Sequence, residues 1–269
     1  MIKELNNSNH GGLLINCPFP EALAVIQGDN PGWVFGDDLN QPRSMLVWVQ
    51  GIEGFYLIGE VDNPTFLEEL NGLIDQILKP RLNNQGIIWF EVSGIEKWDR
   101  VIEHVFEKRN LESSQQWVYT LKPTQYEPLK QIESIGDCKL LRVAQPVFSD
   151  FTMFNQGFLF SKILKFWGSV DEFLKGGIGY VLISGEEIAS LCFFGFVVGN
   201  VHVIDIETKG SYRRKGFAEL VARAFIQECM HRHLQIHWDC MAENAASVRL
   251  AKKIGLTRSH AYTLYSFPL

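Results

Sequence analysis

Residues 201–218 read Val-His-Val-Ile-Asp-Ile-Glu-Thr-Lys-Gly-Ser-Tyr-Arg-Arg-Lys-Gly-Phe-Ala, and the expected fold is organised around this stretch. It begins as an apolar strand, breaks at Lys209-Gly210-Ser211 and continues as a helix. The break contains residues 213–218, an R-x-x-G-x-A pattern on a strand-to-helix turn. The first turn of a helix presents backbone N–H groups that bind phosphate. The pattern therefore predicts a phosphate loop, although an ordinary turn with a solvated basic patch also fits these six residues.

The composition is that of a folded globular protein. Of 269 residues, enough for one large domain or two of ordinary size, 46% are hydrophobic and 21% are charged. The net charge of −6 argues against general nucleic-acid binding, so the local basic cluster needs another explanation. No apolar run reaches bilayer length and the first residues lack a signal-peptide core. We therefore expect a cytoplasmic protein with neither a nucleic-acid nor a membrane partner.

The five cysteines are scattered and odd in number, which is typical of reduced thiols. One group of cysteines and histidines invites comparison with metal sites: Cys229, His231, His233, His237 and Cys240. Its spacings place neighbouring members on different faces of a predicted helix and a predicted strand. We expect no metal cofactor.

Helix and strand patterns divide the chain into two halves, joined by a predicted linker at 123–136. The first half has predicted strands at 45–50, 54–61, 86–92 and 116–121, and helices that begin at Asn63-Pro64 and cover 95–108. The second half has strands at 138–143, 180–184, 188–197, 201–208, 235–240 and 262–267, and helices at 148–167, 170–174, up to 233, and 245–253. Short turns between the strands from 180 to 208 favour an antiparallel meander. We expect an α+β protein with a mixed α/β sheet and domains at 1–130 and 131–269.

The two halves resemble two copies of one unit, since each ends in a similar strand, 118–121 and 261–264. Where the second half has its basic glycine loop, the first half has Glu60-Val61-Asp62-Asn63-Pro64. Its acidic side chains repel phosphate. Only the C-terminal half is therefore expected to bind a phosphorylated cofactor.

Residues 138–267 resemble the GNAT superfamily of acyl-CoA-dependent N-acyltransferases. The 213–218 loop matches that superfamily's [QR]-x-x-G-x-[GA] pattern, and residues 244–256 match N-x-x-[SA]-x-x-L-x-x-K-x-G-[FL]. With residues 204–208 and Trp238-Asp239 included, the chain is similar to the branch related to zwittermicin A resistance acetyltransferases. The resemblance implies a GNAT-like acyltransferase fold in the C-terminal half and a degenerate GNAT-like half, without the phosphate loop, at the N-terminus.

The resemblance also implies acetyl-CoA as cosubstrate and a site for it. The pantetheine arm would pair, like an added strand, with the backbone of Ile206, Glu207 and Thr208. The pyrophosphate would lie on the loop formed by Arg213, Arg214, Lys215, Gly216, Phe217 and Ala218. Asn244 and Ser247 lie where the family contacts the pantetheine arm, although Asn244 is also a good helix N-cap and Ser247 an ordinary first-turn residue.

Acyl transfer to an amine needs a base, because a protonated amine has no lone pair for attack. Glu207 and His202 on the 201–208 strand are the candidates, and Asp205 shares the face of Glu207. The odd spacing of His202 and Glu207 puts them on opposite faces unless a bulge intervenes. Many family members have a tyrosine that acts as general acid at the position of Ala251. Here the CoA thiolate leaves unassisted, or its proton comes from Tyr262, Tyr265 or Cys240.

The expected function is direct transfer of an acetyl group from acetyl-CoA to a primary amine of a small molecule, with an aminopolyol antibiotic, and hence antibiotic resistance, among the candidates. Asp205, Glu207 and Asp239 would suit a cationic amine. The alternative is a non-catalytic CoA-binding module or regulator, because Ala251 replaces the tyrosine and the first half lacks the loop. A nucleotide-binding protein of another fold is a third interpretation, and a homodimer is compatible with each.

Overall fold

The structure, a computed structural model, describes residues 1–5, 17–121, 137–144 and 155–269, and the predicted linker at 123–136 lies outside them. The described residues form two compact units. Unit 1 comprises Met1–Gln116 and Ala261–Leu269, and unit 2 comprises Trp117–His260. No helix in these described stretches has the length and apolarity needed to span a membrane.

Unit 1 contains a sheet in the order β1-β2-β3-β4-β5-β12. The strands β1 to β4 pair antiparallel, β4 pairs parallel with β5, and β12 returns antiparallel to β5. The strands are β1 (Lys3–Leu5), β2 (Gly32–Gly36), β3 (Ser44–Val49), β4 (Gly54–Gly59), β5 (Trp89–Gly94) and the end of β12 (Leu256–Pro268). The helices are α1 (Pro20–Gln27), α2 (Pro64–Leu73), a π-helical turn (Ile74–Leu78), α3 (Lys79–Asn83) and α4 (Glu96–Val105).

Unit 2 contains a sheet in which β7, β8, β9 and β10 form an antiparallel meander and β11 pairs parallel with β10. The meander confirms the prediction. The strands are β7 (Cys138–Arg142), β8 (Gly179–Ser184), β9 (Glu187–Val198), β10 (Val201–Thr208) and β11 (Gln235–Met241), followed by the end of β6 (Glu112–Leu121). The helices are α5 (Gln156–Phe166), α6 (Val170–Gly176), a 3₁₀ turn (Gly210–Tyr212), α7 (Phe217–His231) and α8 (Ala245–Lys253). Of the predicted helix at 148–167, residues 148–154 lie outside the described part.

The division into units differs from the boundary expected at residue 130, because strand pairing and packing, not chain order, decide it. Leu264–Pro268 of β12 pairs with Trp89–Ser93 of β5, which places the C-terminus in unit 1. Conversely, Trp117 and Tyr119 of β6 pack in the hydrophobic core of unit 2. Each unit thus contains a strand end from the other half of the sequence.

The sheet of unit 2 is covered on both faces. On one face Phe194 packs edge-on against Phe225 of α7, with ring centroids 4.4 Å apart. On the other face Phe166 of α5 packs against Phe193 and Phe196, at 5.5 and 5.3 Å. Aromatic rings packed in this way bury large apolar areas and hold both helices on the sheet. Both helices are therefore packed directly on β9.

Candidate functional site

The strand β10 has one edge that is paired along its whole length and one edge that opens halfway. It pairs with β9 from Val201 to Thr208, but its pairing with β11 covers only Val201–Val203 and Gln235–His237. Beyond Val203, no described residue of β11 is in register with β10. The N–H and C=O groups on an open strand edge can pair with an extended ligand. Ile206, Glu207 and Thr208 lie in this open part.

A bulge in β9 coincides with the point where the strands part. The register with β10 shifts between Val203, opposite Phe196, and Ile204, opposite Phe194, so Gly195 is the extra residue. A Cβ atom on Gly195 would lie 2.7 Å from the ring of Phe166, which leaves room only for glycine. A bulge increases strand twist locally. We attribute the divergence of β10 from β11 to this bulge.

The loop after β10 leads to a helix start that has no side-chain cap. Gly216 is the N-cap of α7 with φ +81°, and among the described residues no side chain forms a cap hydrogen bond with this helix start. A Cβ atom on Gly216 would meet no described atom within 4 Å, so the neighbours that the structure describes do not crowd this position. Arg214 also has a positive φ of 63°. The uncapped N–H groups and the exposed Arg213, Arg214 and Lys215 give this helix terminus the donors and the positive charge that favour an anion.

Neighbouring side chains hold this loop in place. The Nε of Arg213 donates to the carbonyl of Thr208 at 3.2 Å, and the Nζ of Lys215 lies 5.0 Å from the ring centroid of Tyr212. Tyr212 in turn stacks on Phe217 at 6.0 Å. The loop is therefore attached both to the end of β10 and to the first residue of α7.

The corresponding turn of unit 1 is tied to the start of β3 by hydrogen bonds and is capped by Asn63. The N–H of Glu60 donates to the carbonyl of Arg43 at 2.8 Å, and Ser44 Oγ donates to the carbonyl of Glu60 at 2.7 Å. The side chain of Asn63 caps α2 by accepting from the N–H of Phe66, and Pro64 has no N–H to offer. This helix start therefore offers fewer free N–H donors to a phosphate than the start of α7 does.

Two carboxylates, Asp205 and Glu207, lie on the face of β10 that α5 covers. Lys162 of α5 forms an ion pair with Glu207 Oε2. Burial raises the pKa of Asp205 to about 6; the positive charge of Lys162 opposes this shift and the negative charge of Glu207 adds to it. Asp205 is nevertheless partly accessible. It is a carboxylate that can both hold and release a proton near neutral pH.

His202 lies on the opposite face of β10. Its ring packs against Phe194 with centroids 4.2 Å apart, and its Nδ1 lies 3.1 Å from the carbonyl of Asn200. Burial lowers the pKa of His202, so its imidazole is neutral at pH 7. The extra residue of the bulge belongs to β9 and not to β10, so the predicted separation of His202 and Glu207 onto two faces is confirmed.

Asn244 and Ser247 both make contacts within α8 and β11. The side chain of Asn244 caps α8 by accepting from the N–H of Ser247 at 3.1 Å. Ser247 Oγ accepts from the indole N–H of Trp238 at 2.9 Å. Burial raises the pKa of the nearby Cys240 thiol, although a hydrogen bond with Ser247 opposes the shift. These contacts couple the start of α8 to β11.

Tyr265 belongs to unit 1, although the expected division placed it in the second half. It lies opposite Val92 of β5, and its hydroxyl donates to Glu103 Oε1 at 3.2 Å. Burial and the carboxylates of Asp99 and Glu103 raise its pKa. Its hydroxyl is therefore protonated at pH 7.

Two features of the site escaped the sequence analysis, the lysines of α5 and the bulge at Gly195. Lys162 and Lys165 are one helical turn apart, which is an ordinary pattern on an exposed helix. Only the packing of α5 on β9 brings them to the carboxylates of β10. No signal in the sequence links the two elements.

A family model described as GNAT acetyltransferase matches residues 20–265. The chain belongs to the GNAT acetyltransferase family. It is 28% identical over 243 residues to an uncharacterized N-acetyltransferase of Bacillus subtilis, YdfB, covering 90% of this chain and 88% of that protein. Among solved structures, it is similar to a GCN5-related N-acetyltransferase-like protein from Streptococcus suis, with 19% identity, a TM-score of 0.65 and 95% of both chains covered. A GCN5-related N-acetyltransferase from Sphaerobacter thermophilus matches with 11% identity and a TM-score of 0.58, over 99% of this chain and 95% of that one.

The GNAT structural relatives cover the whole chain, which confirms the expected mixed α/β, GNAT-like fold. This GNAT acetyltransferase has an open strand edge that leads to an uncapped helix terminus in unit 2. Acetyl-CoA is the family's usual acyl donor. An extended amide-bearing arm fits the open edge, and a pyrophosphate fits the N–H groups of the loop.

Proposed function

We propose that this chain transfers the acetyl group of acetyl-CoA directly to a primary amine of a small molecule. One observation carries the proposal: the open edge of β10 from Ile204 to Thr208 is followed, after the loop at 209–216, by the uncapped N-terminus of α7. An open strand edge can bind a strand-like arm, and an uncapped helix N-terminus can bind a phosphate. Their order along the chain matches a ligand that has both parts.

In this proposal acetyl-CoA supplies an acetyl thioester, and the chain binds and orients it. The backbone of Ile206, Glu207 and Thr208 pairs with the amides of the arm. The N–H groups of the loop receive the pyrophosphate, and the basic side chains offset its charge; these residues are Arg213, Arg214, Lys215, Gly216, Phe217 and Ala218. Asn244 and Ser247 position the start of α8 beside β11. The N–H of Thr208 is the candidate donor for the developing oxyanion.

The face of the open edge that α5 covers favours a cationic acceptor. Asp205 and Glu207 lie on this face, two and four residues after Val203. Val203 is in register with His237 of β11, and Asp239 comes two residues after His237. Because residues an even number apart on a strand share a face, Asp239 lies on the same face of the sheet as Asp205 and Glu207. Lys162 and Lys165 offset part of this negative charge. Burial lowers the pKa of His237 to about 4, so it adds no positive charge at pH 7.

We propose that the base comes from this face, with Glu207 and Asp205 as its members. The other candidate base, His202, lies on the opposite face, where its ring packs on Phe194. Tyr265, a candidate acid for the thiolate, donates its hydroxyl hydrogen to Glu103. A carboxylate on β10 can accept a proton from the incoming ammonium directly or through water. The amine is then free to attack the thioester carbon.

The narrower proposal is that the acceptor is an aminopolyol antibiotic, which would make the protein a resistance enzyme of the zwittermicin-related branch. It rests on the resemblance of residues 204–208 and Trp238-Asp239 to that branch. The acidic composition agrees with a cytoplasmic enzyme that binds neither nucleic acid nor membranes, as a monomer or a homodimer.

A non-catalytic CoA-binding module is the second candidate, because the buried Ala251 lies where many family members have a tyrosine that acts as general acid. Thiols are acidic enough to leave as thiolates, so the replacement is compatible with either function. Turnover separates the two.

The test combines binding with turnover. Acetyl-CoA at about 100 times its dissociation constant should stabilise the folded chain by about 2.7 kcal/mol in thermal unfolding, with dephospho-CoA as the comparison. Release of free CoA thiol should then depend on added amine across a panel of diamines, polyamines and aminopolyols. Stabilisation without thiol release across the panel would support the binding module. Stabilisation by neither nucleotide would contradict both candidates.

A further inference from the structure

We propose that the ammonium group of Lys162 occupies the position of the acceptor's ammonium group, and that the acceptor displaces it from Asp205 and Glu207. The inference rests on the proposed function and adds two points to it. The acceptor presents a primary ammonium on an unbranched alkyl chain, as the lysine side chain does. The free enzyme blocks its own acceptor site with Lys162.

The position of Lys162 is set by the packing of α5. Phe166, four residues later, packs against Phe193 and Phe196 of β9, and the indole of Trp167 donates to the carbonyl of Phe194 at 2.9 Å. These contacts place the face of α5 that carries Lys162 over β10. The lysine then reaches Glu207, in the open part of the strand.

The charges at this point call for a cation. Asp205 and Glu207 are two residues apart on one strand face, and two carboxylates so close disfavour each other's ionisation. The ammonium of Lys162 offsets this repulsion. Any primary ammonium that reaches the same two carboxylates can do so equally well, since it carries the same charge and the same three donors.

The lysine can leave. Its side chain is 29% exposed and that of Glu207 is 34% exposed. An ion pair this accessible contributes little to stability, and the flexible stem of lysine can move into solvent. An incoming alkylammonium would therefore exchange for Lys162 without loss of a charge from the site.

The test measures binding of 1,4-diaminobutane and n-propylamine by calorimetry without acetyl-CoA. Lys162→Met removes the tethered cation and keeps the apolar stem, so both amines should bind about threefold more tightly, the gain expected when a weakly held occupant fills the site about two-thirds of the time. Lys162→Arg keeps a cation and should bind no more tightly than the wild type. Lys165→Met is the charge-matched control on the same helix, since Lys165 also acts electrostatically on Asp205.

Three outcomes would overturn the proposal. If Lys162→Met and Lys165→Met bind the amines equally more tightly than the wild type, the gain in affinity comes from net charge and not from the position of Lys162. Unchanged or weaker amine binding in Lys162→Met would show that Lys162 does not compete for the site. In acetyl-transfer assays the variant should lower the KM for the amine at constant kcat; a lower kcat at constant KM would instead make Lys162 a positioning residue. Because calorimetry uses no acetyl-CoA, its result holds even if the proposed transfer fails.

Discussion

At the scale of residues, chemically similar side chains have different environments. Asp205 and Glu207 are both carboxylates on one face of β10, yet burial raises the pKa of Asp205 to about 6 while Glu207 forms an ion pair with Lys162. The two carboxyl groups differ in how deeply they are buried. The side chain of Asp205 is shorter than that of Glu207 and stays closer to the strand, and Phe193 of β9 lies opposite Asp205. A carboxylate kept partly desolvated is poorly stabilised when ionised, which is a common property of functional groups.

Asp205→Asn should make the protein more stable and less active. The folded-state pKa of Asp205 is raised from 3.8 to about 6, so between these values the folded chain binds more protons than the unfolded chain and its stability falls as pH rises. The variant should gain on the order of 2 kcal/mol in free energy of unfolding at pH 7 and lose this part of the pH dependence. Denaturant titrations from pH 4 to pH 7 measure both effects. Acetyl transfer should fall about 100-fold or more if Asp205 is the base.

Glu207→Gln is the matched control, because it removes an accessible ion pair and should change the stability by less than about 1 kcal/mol. If Asp205→Asn and the wild type show the same pH dependence of stability between pH 4 and pH 6, the buried ionisation of Asp205 is refuted.

At the scale of elements, the N-termini of α2 and α7 differ in whether a side chain caps the helix. Asn63 caps α2 with its own side chain, whereas Gly216 precedes α7 with none. Both starts were predictable, because an Asn-Pro pair and a glycine-containing loop are local signals. The start of α7 is the better anion site of the two, because no described side chain caps its first-turn N–H groups.

Gly216→Ala should weaken acetyl-CoA binding and cost about 1 kcal/mol of stability, since Gly216 has a φ of +81° that an alanine adopts with strain. Gly210→Ala is the control, because a methyl group there also meets nothing within 4 Å and Gly210 has no such positive φ. Thermal unfolding and calorimetry with acetyl-CoA compare the two variants. Equal losses in both would mean that the conformation of Gly216 is not what the loop requires.

At the scale of the whole molecule, the two units differ at the parallel strand pair that lies before a helix start. In unit 1 the pairing of β4 with β5 continues to Gly94, the last residue of β5, and the following turn is closed by Arg43, Ser44 and Asn63. In unit 2 the pairing of β10 with β11 stops at Val203. Of these two parallel strand pairs, only β10 and β11 part before the second strand ends.

We expect one acetyl-CoA per chain, measured by native mass spectrometry or calorimetry. Gly216→Val in unit 2 should abolish this binding, because the corresponding helix start of unit 1, that of α2, is capped by Asn63 and carries Pro64. Two equivalents per wild-type chain would contradict the assignment, as would one equivalent retained by the variant.

The sequence by itself determined the features that depend on near neighbours in the chain. The R-x-x-G-x-A loop, the Asn244 cap, the two faces of β10 and the absence of a phosphate loop in the first half follow from spacing and backbone preference. The tertiary structure alone decided the rest. It brought Lys162 to Glu207, placed the bulge at Gly195, assigned Tyr265 to unit 1 and raised the pKa of Asp205. These features depend on burial and on pairing between residues distant in sequence, which local periodicity does not specify.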